Sequence, residues 1–181
     1  MADNSDDSDP DRRGFLKVAT CAMGAGVGVV MAGPVLKMVA APADLETVTT
    51  PTDPLDLGSA DQLRVGGKWK RYDVVAPVVS DAWTAARDVV LGSAFLRRTA
   101  PDKVEALSAV CPHLGCAVGY DTEADGFLCP CHNSRWDKDG KLEPNGKAKR
   151  ALDSLPIEIQ DGRLRLTWKL YKLDTDKQEP A

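Results

Sequence analysis

Only two histidines occur in these 181 residues, and neither lies outside the stretch from 111 to 132. Cysteine is nearly as scarce: there are five, and four of them fall in the same twenty-two residues. A site that needs both imidazole and thiolate can therefore be built in one place only, and random scatter does not gather these residues so tightly. Positive charge is also in short supply. Lys and Arg number 23 against 27 Asp and Glu, and the net charge of −4 argues against nucleic acid as a partner. No charged residue occurs from Val18 to Leu36, and no basic residue between Lys37 and Arg64. No internal repeat is apparent. With 43% hydrophobic residues, the chain suits one small globular domain with appendages.

The dense window consists of Cys111-Pro-His113-Leu-Gly-Cys116 and Cys129-Pro-Cys131-His132-Asn-Ser134. C-x-H, fifteen residues, then C-x-x-H offers two thiolates and two imidazoles, with Cys116 and Cys131 left over. Four such ligands can hold a tetrahedral zinc. Zinc fingers, however, usually take their ligands as a Cys pair and a His pair, whereas each segment here supplies one of each. That mixed supply is what a Rieske [2Fe–2S] centre requires, where two cysteines bind one iron and two histidines the other.

In these residues, and over roughly Val104 to Leu166, the chain resembles the Rieske iron–sulfur family. The resemblance implies that Cys111 and Cys129 bind the inner iron and that His113 and His132 bind the outer iron. It further implies a disulfide between Cys116 and Cys131 tying the two loops together. Cytosolic Rieske ferredoxins and oxygenase components usually lack that pair, since cytosolic reductants keep thiols reduced. Its presence points to the high-potential type found in quinol–cytochrome c oxidoreductases. The implied partners are a cytochrome b subunit, a c-type cytochrome and quinol, and the implied enzyme role is that of an iron–sulfur subunit without turnover of its own. Replacing two thiolates by imidazoles removes negative charge and raises the reduction potential. Reduction also raises the affinity of the imidazoles for a proton. The quinol-facing group is His132 or His113, with Leu114 and Pro130 as an apolar rim for docking on cytochrome b.

Beyond the ligands, Ser134 matches the family serine whose hydroxyl bonds a bridging sulfide. Trp136 stands where high-potential members carry a Tyr whose hydroxyl bonds a ligand sulfur; an indole lacks that O–H. A lowered potential, suited to a quinol such as menaquinol, is the expectation. Asn133 replaces a usual Gly, and Gly146-Lys-Ala-Lys-Arg150 replaces a Gly-Pro-Ala-Pro-Arg pattern, so the covering loop is expected to be looser and more basic.

The N-terminal region divides into an acidic disordered tail (1–13), a membrane anchor or uncleaved signal (14–39) and a Pro/Thr/Asp linker (40–58). Arg12-Arg-Gly-Phe-Leu-Lys17 looks like a twin-arginine export signal, a route for cargo already folded around its cofactor. Val18 to Leu36 would extend about 29 Å as a helix, close to a bilayer's hydrocarbon core. Basic residues before it and their lack after it place the N-terminus in the cytoplasm and the head outside the bacterial inner membrane. Gly24 and Gly28 fit either a helix-packing face or a glycine-rich signal. Ala41-Pro-Ala43 offers a cleavage site, but the segment's length favours retention. Cleavage would favour the alternative, the small Rieske subunit of a periplasmic molybdenum oxidase such as arsenite oxidase.

The head (59–173) reads as all-β, a Rieske-type antiparallel sandwich with a cluster-binding subdomain at about 109–152, followed by a disordered tail (174–181). Strands are expected over 68–75, 94–98 and 104–109, with turns at Gly66-Gly67 and Pro101-Asp102. Residues 81–90 fit a helical turn or an insertion. Ser154–Gln160 and Arg163–Leu170, hinged at Asp161-Gly162, read as a closing hairpin.

Overall fold

The computed structural model describes residues 10–40, 51–80, 84–144 and 146–181, which fall into two compact units, Met1–Leu45 and Glu46–Ala181. The first holds α1 (Pro10–Ala40). This helix takes in residues 10–13, which the acidic tail was expected to cover. Asp11 lies in its first turn and Lys37 in its last, so both charges complement the helix dipole. Pro34 lies inside it and forgoes one backbone bond. The apolar stretch Asp11–Val39 is long enough to cross a membrane, and none of it is buried within the protein. Residues 1–9, the expected cleavage site and linker residues 41–50 lie outside the described residues.

The second unit consists of three small antiparallel sheets. Its strands are β1 (Leu55–Ser59), β2 (Lys70–Ser80), β3 (Ala85–Ala100), β4 (Lys103–Ser108), β5 (Gly119–Asp121), β6 (Gly126–Cys129), β7 (Ser134–Trp136), β8 (Ile157–Gln160) and β9 (Arg163–Leu166). Sheet order is β1-β9-β8, β2-β3-β4 and β5-β6-β7.

The middle sheet is a shared wall. Successive side chains of a strand point to opposite faces. On β3, Ala94 and Leu96 enter one core with Val74, Leu164 and Leu166, while Phe95 enters the other with Phe127, Trp136 and the cysteines. On β4, Val104 and Ala106 join the first core and Leu107 the second. One face of the sheet thus closes the base of the head, and the other carries the ligand-bearing tip. Phe95 meets Phe127 edge-on at 5.1 Å between ring centroids, and Trp69 meets it at 5.7 Å.

The closing hairpin forms over a shorter span than expected. Asp161 and Gly162 both have positive φ, 51° and 74°, the geometry of a two-residue type I′ turn. Ile157 pairs with Leu166 and Ile159 with Leu164. Gly92 lets the Trp168 ring lie against the backbone of β3, where a Cβ would come within 2.7 Å of it.

Three expectations are corrected. The linker ends before Leu55: Leu55 buries its side chain, and Asp56 accepts a 2.6 Å hydrogen bond from Arg163, so β1 pairs with β9 despite the neighbouring prolines. Residues 85–90 belong to the long strand β3 rather than to a helical turn, with residues 81–83 outside the described set. The tail at 174–181 is hydrogen-bonded to the head. Lys172 N–H donates to Glu179, Ala181 N–H to Leu170, and Asp174 N–H to Pro112. These bonds run between backbone groups, which residue identity does not advertise.

Candidate metal centre

Both ligand-bearing segments are hairpin loops at one end of the head. The first opens where Val110 bridges Ala117, with Cys111 N–H donating to Cys116 O (2.7 Å) and Gly115 N–H to Cys111 O (2.9 Å). Gly115 sits at φ 80°, a left-handed conformation that lets the chain double back. The second loop joins β6 to β7, whose ends pair as Cys129 with Ser134. Asn133 has φ 59°, which explains how it stands in a glycine position, since Asn tolerates this region better than other side chains.

The loops sort their chemistry by depth. Cys111 and Cys129 are each 1% exposed, on the inner side. His113 is half-buried and His132 exposed, and their rings face each other with centroids 4.8 Å apart at 79°. Cys116 and Cys131 form the disulfide that the resemblance implied, with Cα atoms 6.6 Å apart. The sulfurs of Cys116, Cys129 and Cys131 lie within 4.8 Å of one another, but the disulfide removes two of them as ligands and leaves Cys129.

Burial, with the neighbouring Cys129 thiol, pushes the Cys111 thiol up to about 11; the N–H groups of His113 and Leu114, aimed at its sulfur, pull the other way. Metal-free, Cys111 thus holds its proton at neutral pH, and thiolate ligation must displace it. Those N–H groups then favour the thiolate.

Around the four side chains, the donors are unevenly available. Ser134 is fully buried, and its Oγ accepts from Lys147 N–H and Ala148 N–H, both at 3.0 Å. Its own hydroxyl hydrogen meets no acceptor among the described residues. Trp136 is 1% exposed and spends its one N–H on Arg150 O at 3.0 Å. The indole packs in the same core as Cys111 and Cys129, and with its N–H taken by Arg150 it gives no hydrogen bond to a ligand sulfur, in line with the missing O–H noted in the sequence. Gly146, at φ 103°, crosses directly over Ser134, where a Cβ would lie 2.3 Å from the serine Cα. Only glycine allows this crossing. The Gly146–Arg150 run flagged its neighbourhood, but not this contact.

Sequence reasoning passed over the ion pair of Arg150 and Asp153, 6% and 5% exposed, bonded at 2.8 and 2.9 Å. Its i,i+3 spacing was the available signal. Leu114, by contrast, is 59% exposed, and Pro130 is exposed on the other loop, so the expected apolar rim faces outward.

Two buried thiols, two outward imidazoles and a buried hydroxyl with a hydrogen to give suit a [2Fe–2S] group with mixed ligation. They suit zinc less well, which has no use for the free hydroxyl or for a split by depth.

Comparisons with known proteins agree. The model of the Rieske [2Fe-2S] domain matches residues 56–156. The menaquinol:cytochrome c reductase iron-sulfur subunit of Geobacillus thermodenitrificans is 32% identical over 86% of this chain and 89% of its own. That of Bacillus subtilis is 30% identical over 87% and 92%. The cytochrome b6-f complex iron-sulfur subunit of Chlorobaculum tepidum is 29% identical over 86% and 75%. With its paired loops, its disulfide and a family match over more than half its length, the chain belongs to the Rieske [2Fe–2S] iron–sulfur family.

Proposed function

We propose that this protein is the electron-transfer subunit of a quinol–cytochrome c oxidoreductase, taking an electron from quinol and passing it to a c-type cytochrome. Cys111, Cys129, His113 and His132 hold the cluster, which when bound supplies a one-electron carrier whose potential mixed ligation raises, to between about −150 and +300 mV in Rieske centres. The observation that carries the reading is the presence of an exposed imidazole, with exposed Leu114 and Pro130 next to candidate ligands on the two loops, in a chain with an unburied apolar helix. The relatives named as menaquinol:cytochrome c reductase subunits support it.

His132 is the quinol-facing group, because it is the more exposed of the two histidines. It accepts the hydrogen bond of the bound quinol and takes up a proton as the electron arrives. His113, half-buried against its ring, holds the pair in place. Leu114 and Pro130 exclude water from the contact and dock on the cytochrome b subunit. Residues 12–17 act as the twin-arginine signal, and α1 remains as a single-pass anchor with its basic N-terminal end in the cytoplasm.

The test is purification of the full chain from membranes in mild detergent. Co-purification with cytochrome b, and oxidation of added menaquinol with reduction of cytochrome c, are expected. A mature chain that begins beyond α1 and travels with a molybdenum subunit would contradict the reading and select the periplasmic oxidase instead.

A further inference from the structure

The first ligand loop and the run that follows the second are joined to a part of the head that lies far from them in sequence. The chain from Leu170 to Ala181 forms a hairpin, closed by Lys172 N–H to Glu179 O (2.9 Å), Ala181 N–H to Leu170 O (3.0 Å) and a bridge between Tyr171 and Pro180. One part rests on the seam after the cluster-binding segment: Tyr171 Oη and Gln178 Nε2 both donate to Ser154 O, at 3.1 and 2.8 Å. Its turn reaches the tip.

Three grips are made there. Asp174 N–H donates to Pro112 O (2.9 Å), between the ligands Cys111 and His113, while a Cβ on Gly115 would meet Leu173 at 3.4 Å. Lys149 Nζ lies 3.1 Å from the Asp174 carboxylate and donates to its carbonyl at 3.2 Å. Arg150 uses all five of its N–H donors: Nε and one Nη2 hydrogen on Asp153, the other Nη2 hydrogen on Lys172 O, and both Nη1 hydrogens on Thr175 O and Oγ1. Because Arg150 O also accepts from Trp136 on β7, the hairpin is linked to the strand that carries Ser134. Asp174 itself sits at φ 55°, a conformation in which Asp is among the better-tolerated side chains.

We propose that Lys172–Thr175 is a positioning strap that holds the first ligand loop and the Gly146–Arg150 cover in register over the cluster. A hairpin serving only to finish the base would bond to β1, β8 or β9; this one, besides its two bonds to Ser154 O, bonds to Pro112, Lys149 and Arg150. The covering run between Gly146 and Arg150 contains no proline to stiffen it, so its order must come from such external bonds. The inference rests on the assignment of the loops to the cluster and not on the choice of electron donor.

The test compares the full cluster-loaded chain with a form ending at Lys172, with Leu173→Ala, and with the pair Thr175→Val and Thr175→Ser. Amide exchange is followed at Cys111 and Gly115 and, as reference, along β2 and β3, together with the midpoint potential and the rate of cluster bleaching in chelator. Truncation should speed loop exchange and bleaching by about tenfold or more, as expected for the loss of one to a few net hydrogen bonds. Reference exchange should stay unchanged and the potential should shift. Thr175→Val should give a smaller change of the same pattern, and Thr175→Ser should restore the parent values. Uniform acceleration throughout the head, or no change at the loops, would overturn the proposal. If the truncated form does not fold, Leu173→Ala and the Thr175 pair decide. A parent chain without iron would refute the ligand assignment instead, while the exchange comparison would still report on the strap.

Discussion

The base and the tip of the head share one sheet and are stabilised by different physics. In the base, β1-β9-β8 packs on one face of β2-β3-β4 through fully buried Leu96, Leu164, Leu166 and Val74. Such burial is non-directional, and small shifts are absorbed by neighbouring side chains. At the tip, β5 and β7 are three residues long. What holds it is directional: a disulfide, the close crossing over Ser134 allowed by Gly146, the Ser134 bonds and the Arg150 fan. The base spreads its stability over many apolar contacts, whereas the tip depends on a few directional ones.

The strongest break of that contrast is Gly146→Ala. A Cβ there collides with backbone, and the positive φ adds strain. Iron analysis should find little or no cluster, while circular dichroism still shows the β fold; full loading would mean that the crossing is not needed. Next, Cys116→Ser should give a cluster that assembles but is readily lost, at a cost of about 2–5 kcal/mol as for native disulfides in small exported domains. Mass spectrometry finding both cysteines as free thiols in native protein would contradict the disulfide's role.

A base substitution should show the reverse pattern. Leu166→Ala, at a fully buried site, should lower global stability by about 2–5 kcal/mol in denaturant unfolding. Its electron paramagnetic resonance g values should match the parent's; a shifted spectrum would show that base and tip are not separable. Ser134→Ala should leave loading largely intact and lower the potential by on the order of 100 mV, since a hydrogen bond to a charged group is worth roughly 1.5–3 kcal/mol. An unchanged potential in film voltammetry would mean that the hydroxyl points elsewhere.

The smallest effect concerns Asp56, which the Arg163 bond, the Gly58 N–H and the Arg165 charge hold below the usual carboxylate range. A depressed folded-state pKa adds stability above the ordinary carboxylate pKa, and this is lost as pH falls through the folded value. The protection factors of β1 amides, taken relative to the intrinsic exchange rate at each pH, should therefore fall below about pH 4, with loop amides following a different profile, and Asp56→Asn should remove that part of the pH dependence.

The same contrast governs what could be read from the sequence. The window that carries the candidate ligands, and the disulfide pair within it, were legible because scarce residue types crowd one stretch, and Asp161-Gly162 was legible because a type I′ turn demands positive φ. Base strands emerged from the alternation of Leu164, Leu166 and Trp168. What escaped was held by backbone atoms. Asp174 N–H on Pro112 O and Arg150 on Lys172 O depend on carbonyls that every residue possesses, so a polar C-terminal run read as disordered. That Arg150 O takes the Trp136 N–H was hidden for the same reason. Asp56 and Leu55 were hidden by flanking prolines that suggested a linker.

Mixed ligation divided by depth, thiolates inside and imidazoles outside, is the centre of the account. Mössbauer spectroscopy of the full chain grown on iron-57 and then reduced tests it most directly. Two inequivalent irons are predicted, with the ferrous one having the larger isomer shift of nitrogen ligation, and His132→Cys should bring that shift toward the all-sulfur value. Two equivalent irons in the parent, or zinc in place of iron, would contradict it.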